Sequence, residues 1–297
     1  MASKRRYKGI DQLSKRDKVV VSLMVIVPTL LVLWLVWFPA VGTVLLSFTN
    51  WDGIGPLSGI KPVGLQNYID IATIYPPFWP AMQHNLIWLA VLFFIATPLG
   101  VLFAVLVDRG VAGTRFYQSS IYLPVVLSLA LVGFIWQLIY SRDQGLLNAI
   151  TGGTTDWYGD PDVNLWAVLV AASWRHAGYI MLLYLAGLKG VDPSLREAAK
   201  IDGASETTTF FRVILPVMRP INIIVIVVTF IESLRAFDIV WVINKGRNGL
   251  ELISALVTQN VVGEASRIGF GSALATIMLL ISSVLVIIYL RIAMKED

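Results

Sequence analysis

The groups of this chain best suited by type to do chemistry are few. It has two histidines, His84 and His176, and no cysteine. That excludes a disulfide framework, a thiolate metal site and a cysteine nucleophile, and two histidines are too few for a histidine-rich metal centre. At the level of the long apolar stretches the carboxylates are Glu232 and Asp238. No G-x-x-x-x-G-K-[ST] phosphate loop, H-E-x-x-H pair or G-x-S-x-G elbow occurs. Gly152-Gly153-Thr154-Thr155 lacks the lysine of a phosphate loop and reads as a turn. A membrane enzyme shows a denser polar cluster than this. The set suits a conduit whose energy comes from elsewhere: His176 and Glu232 can hydrogen-bond hydroxyls, and Tyr179 offers a flat ring.

The elements that hold these groups are set by composition. Of 297 residues, 57% are hydrophobic and 14% charged, against about 25% charged in a soluble domain, and the mean hydropathy is +0.74. A soluble globule this apolar could not cover itself with polar surface, so an ordinary cytosolic enzyme and a disordered chain are excluded. A helix crosses the hydrocarbon core in about 20 apolar residues. Six such runs fall near 19–46, 85–107, 119–140, 165–188, 217–243 and 271–292. This predicts an all-α integral membrane protein: a basic segment 1–18, a six-span domain 19–292 and a tail 293–297. The basic head looks like the start of a signal peptide, but the run behind it exceeds the 7–15 residues or so of such a peptide, so it is expected to remain as an anchor.

Lys and Arg collect on the cytoplasmic side of membrane proteins. Sixteen of the 23 basic residues fall in the head, the tail and the loops near 108–118 and 189–216, and five in the opposite loops. Both termini are therefore expected in the cytoplasm. The net charge of +4 reflects these span ends, and no nucleic-acid partner is expected. The outer loops 47–84 and 141–164, with Trp51-Asp52-Gly53, Pro76-Pro77 and Gly152-Gly153, suggest turns and short interfacial helices.

The most informative stretch is the inner loop 189–216. Asp192 or Ser194 can cap a helix with Pro193 in its first turn. The helix is expected over Ser194–Ile201, ended by Gly203. Small Ala198 and Ala199 allow a close approach by another protein, and Glu197 and Lys200 offer polar anchors; from spacing alone a plain connector on the membrane surface fits as well.

The pattern Glu197-Ala198-Ala199-x-x-Asp202-Gly203-Ala204, with Leu215-Pro216 following, resembles the EAA loop of ABC importer permeases, and among them the sugar-type family that carries maltose and glycerol phosphate. Val63-Gly64-Leu65-Gln66-Asn67-Tyr68, Gly145-Leu146-Leu147-Asn148, Ser173-Trp174-Arg175, Leu185-Ala186-Gly187-Leu188-Lys189 and Phe237-Asp238-Ile239 agree in order. One departure stands out: the family's T-x-G-G-P stretch is here Ile243-Asn244-Lys245-Gly246-Arg247-Asn248-Gly249, which keeps a turn without the proline.

The resemblance implies the type I ABC importer permease architecture, six transmembrane helices with a short cytoplasmic coupling helix, in a bacterial or archaeal inner membrane. It implies a second homologous permease, an ABC ATPase dimer that binds ATP and magnesium, and an extracytoplasmic solute-binding protein, with lipid around the spans and no cofactor in this chain. Glu197, Ala198, Ala199, Asp202 and Gly203 would form the coupling helix. The spans flanking it would carry the solute path. Ala172, His176 and Tyr179 recur on one face of the fourth span, and Thr229, Glu232, Ser233 and Ala236 on one face of the fifth. Ionisable groups at membrane depth are costly and usually face a cavity or a partner. The expected solute is a mono- or oligosaccharide or a glycerol phosphate. The same residues leave a structural role open, with Arg175 and Arg235 pairing with Glu232 or Asp238 and Tyr179 packing. The competing functions are an amino-acid or peptide permease, an ion-coupled secondary transporter, and a membrane subunit with no conduit of its own.

Overall fold

The computed structural model describes residues 14–293 apart from 55, 111–112 and 264–265, and among them the architecture is helical, with one isolated bridge between Thr49 and Pro62. Most of the expected basic head and the tail 294–297 lie outside the described residues. Four helices are long and apolar enough to cross a membrane: α1 (Lys15–Leu46), α3 (Phe78–Asp108), α7 (Asn164–Gly190) and α13 (Ile268–Ala293). Short α2 (Gln66–Thr73) lies between the first two. The third expected run is α4 (Thr114–Val126) and α5 (Leu129–Ile139), bent by 106°. α6 (Leu146–Thr151) follows in the loop. Beyond α7 come α8 (Pro193–Ile201), α9 (Glu206–Val217), α10 (Arg219–Leu234), α11 (Asp238–Asn244) and α12 (Ile253–Val261). α9 meets α10–α11 at a bend of 81°. With each bent pair taken as one span, the number is six.

Residues 119–140 therefore do not form one straight rod. Leu127 and Ser128 are extended, and the Ser128 hydroxyl accepts the Leu131 N–H at 3.2 Å, starting a new helix where the apolar pattern runs on. Three helices accommodate a proline by widening. Three π turns, Leu33–Trp37, Leu92–Ala96 and Phe210–Ile214, each end two residues before a proline: Pro39, Pro98 and Pro216. A proline ring clashes with the carbonyl four residues back. One extra residue in the turn relieves that clash, and the N–H groups of Phe38, Thr97 and Leu215 bond to carbonyls five residues back.

α7 is the central element. It packs along α3 at Gly100, where a Cβ would lie 2.6 Å from the Ala177 carbonyl oxygen. It packs along α4 at Gly178, whose missing side chain leaves room for the Ile121 carbonyl. Small residues let membrane helices approach this closely. Two apolar clusters sit along α7. One joins Leu165, Val168 and Leu169 to Trp88, Leu92, Val132 and Ile239. The other joins Ile180, Met181 and Leu188 to Ala104, Val107, Ile214 and Val225. α1 is the opposite case: no residue of Lys15–Val32 is buried, and its last turns lie on α13.

Two loop asparagines explain two of the sequence segments. Asn67 donates to the carbonyls of Ser47 and Thr49, both at 2.8 Å, closing the loop after α1. Asn148 donates to Arg142 and Thr155 carbonyls and accepts from the Trp157 indole, closing the loop after α5. The turn 243–249 is stiffened without proline. The Asn244 side chain donates to the Arg247 carbonyl at 2.7 Å and accepts from the Gly246 N–H at 3.1 Å.

Candidate functional site

Two sites emerge, one at the middle of α7 and one at α8. At mid-span, His176 Nε2 lies 3.1 Å from the Thr229 hydroxyl and 3.3 Å from the Thr97 hydroxyl, and the two hydroxyls are 3.3 Å apart. His176 and Thr229 are buried and Thr97 is half-buried. Three helices, α3, α7 and α10, thus meet in one polar knot between the two apolar clusters. Sequence spacing put His176 and Thr229 on facing helices but gave no part to Thr97; its signal is a hydroxyl inside an apolar run, just before Pro98.

Beside the knot is a cavity of about 40 Å³, whose wall includes Trp88, Ala172, Arg175, His176, Glu232, Arg235, Ala236 and Asp238. Arg175 Nη1 is 3.6 Å from Glu232 Oε2, and Arg175 Nε is buried with no hydrogen-bond partner among the described residues. Of the seven residues expected along a solute path, Ala172, His176, Glu232 and Ala236 line this cavity and Thr229 joins it through His176. Ser233 does not: it is buried, and its hydroxyl donates to the Phe230 carbonyl of its own helix at 2.8 Å. Tyr179 sits half-buried against the α3–α7–α10 cluster, outside the cavity wall. The expected pairing of Arg175 with Glu232 is present, and Arg235 and Asp238 complete a wall of two guanidiniums and two carboxylates that can hold hydroxyls by paired hydrogen bonds.

The second site is built locally. Asp192 caps α8 by accepting the Ser194 N–H at 2.9 Å, with Pro193 at the first helical position. The bonds from Ser194 hold the Asp192 carboxyl below the usual aspartate range. At the other end Gly203 has φ +73°, the Gly203 N–H bonds to the Lys200 carbonyl and the Ala204 N–H to the Ala199 carbonyl. That pair of bonds closes the helix through a left-handed residue that glycine adopts without strain. The helix starts one residue before the expected Ser194.

α8 has two faces. Ala199 is buried and Leu195 is half-buried against Ile214 and its neighbours. Glu197, Ala198, Ile201, Asp202 and Gly203 are exposed, Ile201 by 87%. Of the five residues expected to contact a partner, four face outward and Ala199 instead seats the helix on the spans. Ile201 escaped the sequence reading; a large apolar residue on the polar face of a short helix is its signal.

The sequence model of the family described as "Binding-protein-dependent transport system inner membrane component" matches residues 15–295. A probable ABC transporter permease protein of Pyrococcus horikoshii is 30% identical, over 93% of this chain and 96% of its own length. The xylose/arabinose import permease protein of Haloferax volcanii is 30% identical, over 80% of this chain and 76% of its own. Among solved structures, a chain of a bacterial ABC transporter involved in the import of the acidic polysaccharide alginate shares the fold, with a TM-score of 0.80 at 17% identity, over 95% of this chain and 97% of that one.

Proposed function

Because this chain belongs to the family of binding-protein-dependent transport system inner membrane components and is an ABC transporter permease, we propose that it forms half of the path by which a carbohydrate enters the cell. A second, homologous permease forms the other half. A solute-binding protein delivers the sugar outside, and a pair of ATPase subunits supplies the energy inside, so this chain itself catalyses no reaction. The α8 end of the bundle and both termini face the cytoplasm, in keeping with the basic residues gathered there.

The observation that carries this reading is the outward face of α8, a capped nine-residue helix that presents Glu197, Ala198, Ile201 and Asp202 to solvent. A stiff helix with a free face and a seated face can pass the closure of an ATPase to the spans. The sugar assignment draws support from the xylose/arabinose import permease and from the cavity beside His176 and Glu232. At about 40 Å³ that cavity holds a water or two, so it must widen to pass a sugar. Separation of α7 from α10, breaking the Arg175–Glu232 pair, supplies that widening in an alternating-access cycle. Thr229, Ser233 and Tyr179 flank the opening and become wall residues as it widens.

Affinity purification of this chain from membranes, with mass spectrometry of what accompanies it, tests the assembly. A second six-span permease and an ATPase are expected; recovery of the chain alone, even after mild cross-linking, overturns it. Uptake of labelled xylose, challenged with unlabelled sugars and amino acids, tests the solute. Competition by sugars is expected, and competition by amino acids alone overturns the carbohydrate assignment.

A further inference from the structure

One buried carboxylate is left over from the two sites. Asp108 ends α3, and its side chain is 7% exposed. Its Oδ1 lies 3.0 Å from Nζ of Lys189, in the last turn of α7, and its Oδ2 lies 2.8 Å from Nη2 of Arg196, on α8. The two oxygens therefore take cations from two different elements. The neighbouring Arg109–Glu206 pair, at 2.8 Å, ties α3 to α9, but its side chains are 46% and 68% exposed, where an ion pair holds little. Val107, next to Asp108 in sequence, and Leu188 and Val191, which bracket Lys189, belong to the apolar cluster, and Leu188 lines the same cavity as Asp108 and Arg196. The two ion pairs offset the cost of holding this carboxylate away from water.

We propose that Asp108 is a positioning residue that locks α8 to the ends of α3 and α7, so that the three move as one body when the ATPase pulls. The proposal rests on the reading of α8 as the ATPase contact. Lys189 and Arg196 stand seven residues apart in sequence, on either side of the Val191–Asp192 corner, and both close on the same carboxylate. The corner is thereby pinned from both sides to a fixed point of α3. Without that pin α8 keeps its caps but can rotate about the corner, lifting Ala199 from its seat. Its own fold would survive while its hold on the spans would not.

The chain has no cysteine, so paired labels are simple to install. Leu106→Cys on α3 and Lys200→Cys on α8, both exposed positions, take spin labels in the complex purified from membranes. Pulsed electron resonance then gives their separation without nucleotide and after trapping with ATP and vanadate. With Asp108 present one narrow distance is expected in both states. With Asp108→Asn the narrow distance is lost, and it shifts on trapping. Arg196→Gln, which removes one of the two pairs, should broaden it in the same direction and decides the matter if the Asn variant is not recovered. An unchanged narrow distance in either variant overturns the proposal. Recovery of an ATPase with the parent chain tests the role of α8 separately, so the two readings fail independently.

Discussion

The two polar layers of the bundle are built by opposite means. At mid-span, Thr97, His176 and Thr229 come from three helices, 53 to 132 residues apart, and meet through side-chain hydrogen bonds. At the α8 end, the helix is shaped by its own caps and held down by ion pairs on Asp108. Between membrane helices a hydrogen bond contributes about 0.6 kcal/mol on average. A buried ion pair loses about 3–5 kcal/mol when one partner is removed; Lys189 and Arg196 reach water, so the Asp108 pairs fall between that figure and the roughly 0–1 kcal/mol of surface pairs. The difference teaches where the bundle can give. On the proposed reading, the layer that opens for a solute is held by hydrogen bonds and one partly exposed ion pair, Arg175–Glu232, and the layer that transmits a pull is held by the Asp108 pairs and by local backbone geometry.

The largest effect is expected where the mid-span layer depends on close backbone approach. Gly100 is one turn from Thr97 and faces the Ala177 carbonyl and the Ile180 side chain. Gly100→Leu would push α3 off α7 and pull the hydroxyl of Thr97 away from His176. Overpacking of a core costs about 1–3 kcal/mol and at times more, and here the obstacle is backbone. Detergent-solubilised protein should lose its monodisperse peak and melt at lower temperature; a parent-like melting curve would show that the crossing is looser than drawn.

Next comes Gly203→Pro, at the α8 end. Gly203 sits at φ +73°, and proline is fixed near −65°, so the closing bonds to Lys200 and Ala199 cannot form. Uptake should be abolished while the amount of chain in the membrane stays unchanged by immunoblot. Gly203→Asn, which tolerates the left-handed conformation, should keep most of the uptake. Normal uptake by the proline variant would break the contrast, since α8 would then transmit nothing.

The same contrast explains what was legible in the sequence. The spans were legible because each needs a long apolar run, and α8 was legible because Asp192, Pro193 and Gly203 act on backbone within a few residues. The break inside residues 119–140 was not, because leucine and valine continue on both sides of Ser128 and only its capping hydroxyl marks the stop. Thr97 and Asp108 were missed for a related reason. One reads as a stray hydroxyl and the other as an ordinary polar helix end until the fold brings α7, α8 and α10 against them. Tyr179 and Ser233 show the converse: a shared helical face is a statement about one helix, and the crossing of α7 with α10 decides which part of that face meets a cavity.

A smaller effect is expected from Thr229→Val, which keeps the shape and removes one hydroxyl of the knot. His176 retains Thr97 as a partner at 3.3 Å, so the loss should stay near 0.6 kcal/mol, roughly the average for such bonds. That is a small drop in melting temperature, with assembly intact. A loss several times larger would mean that the mid-span layer is as rigid as the α8 end.

The smallest effect separates the two layers by pH. The bonds from Ser194 lower the Asp192 carboxyl below its value in the unfolded chain. A group lowered on folding contributes its full stabilisation above the unfolded value and loses it as pH falls through the folded one. α8 should therefore loosen only in acid, below the ordinary aspartate range, and slightly, because Asp192 is exposed. Glu197 and Asp202 are further carboxylates at the same helix, so the measurement is a difference. A spin label at Ile201 should gain mobility on acidification more in the parent than in Asp192→Asn, whose amide still caps the helix but does not titrate. A label placed instead at exposed Phe94 on α3, one turn from Thr97, should show no such difference, because the knot contains no carboxylate. An equal acid response in both proteins would move the start of α8 from its cap to Pro193 and the Ala199 seat, and would leave the Asp108 pairs as the electrostatic hold on α8.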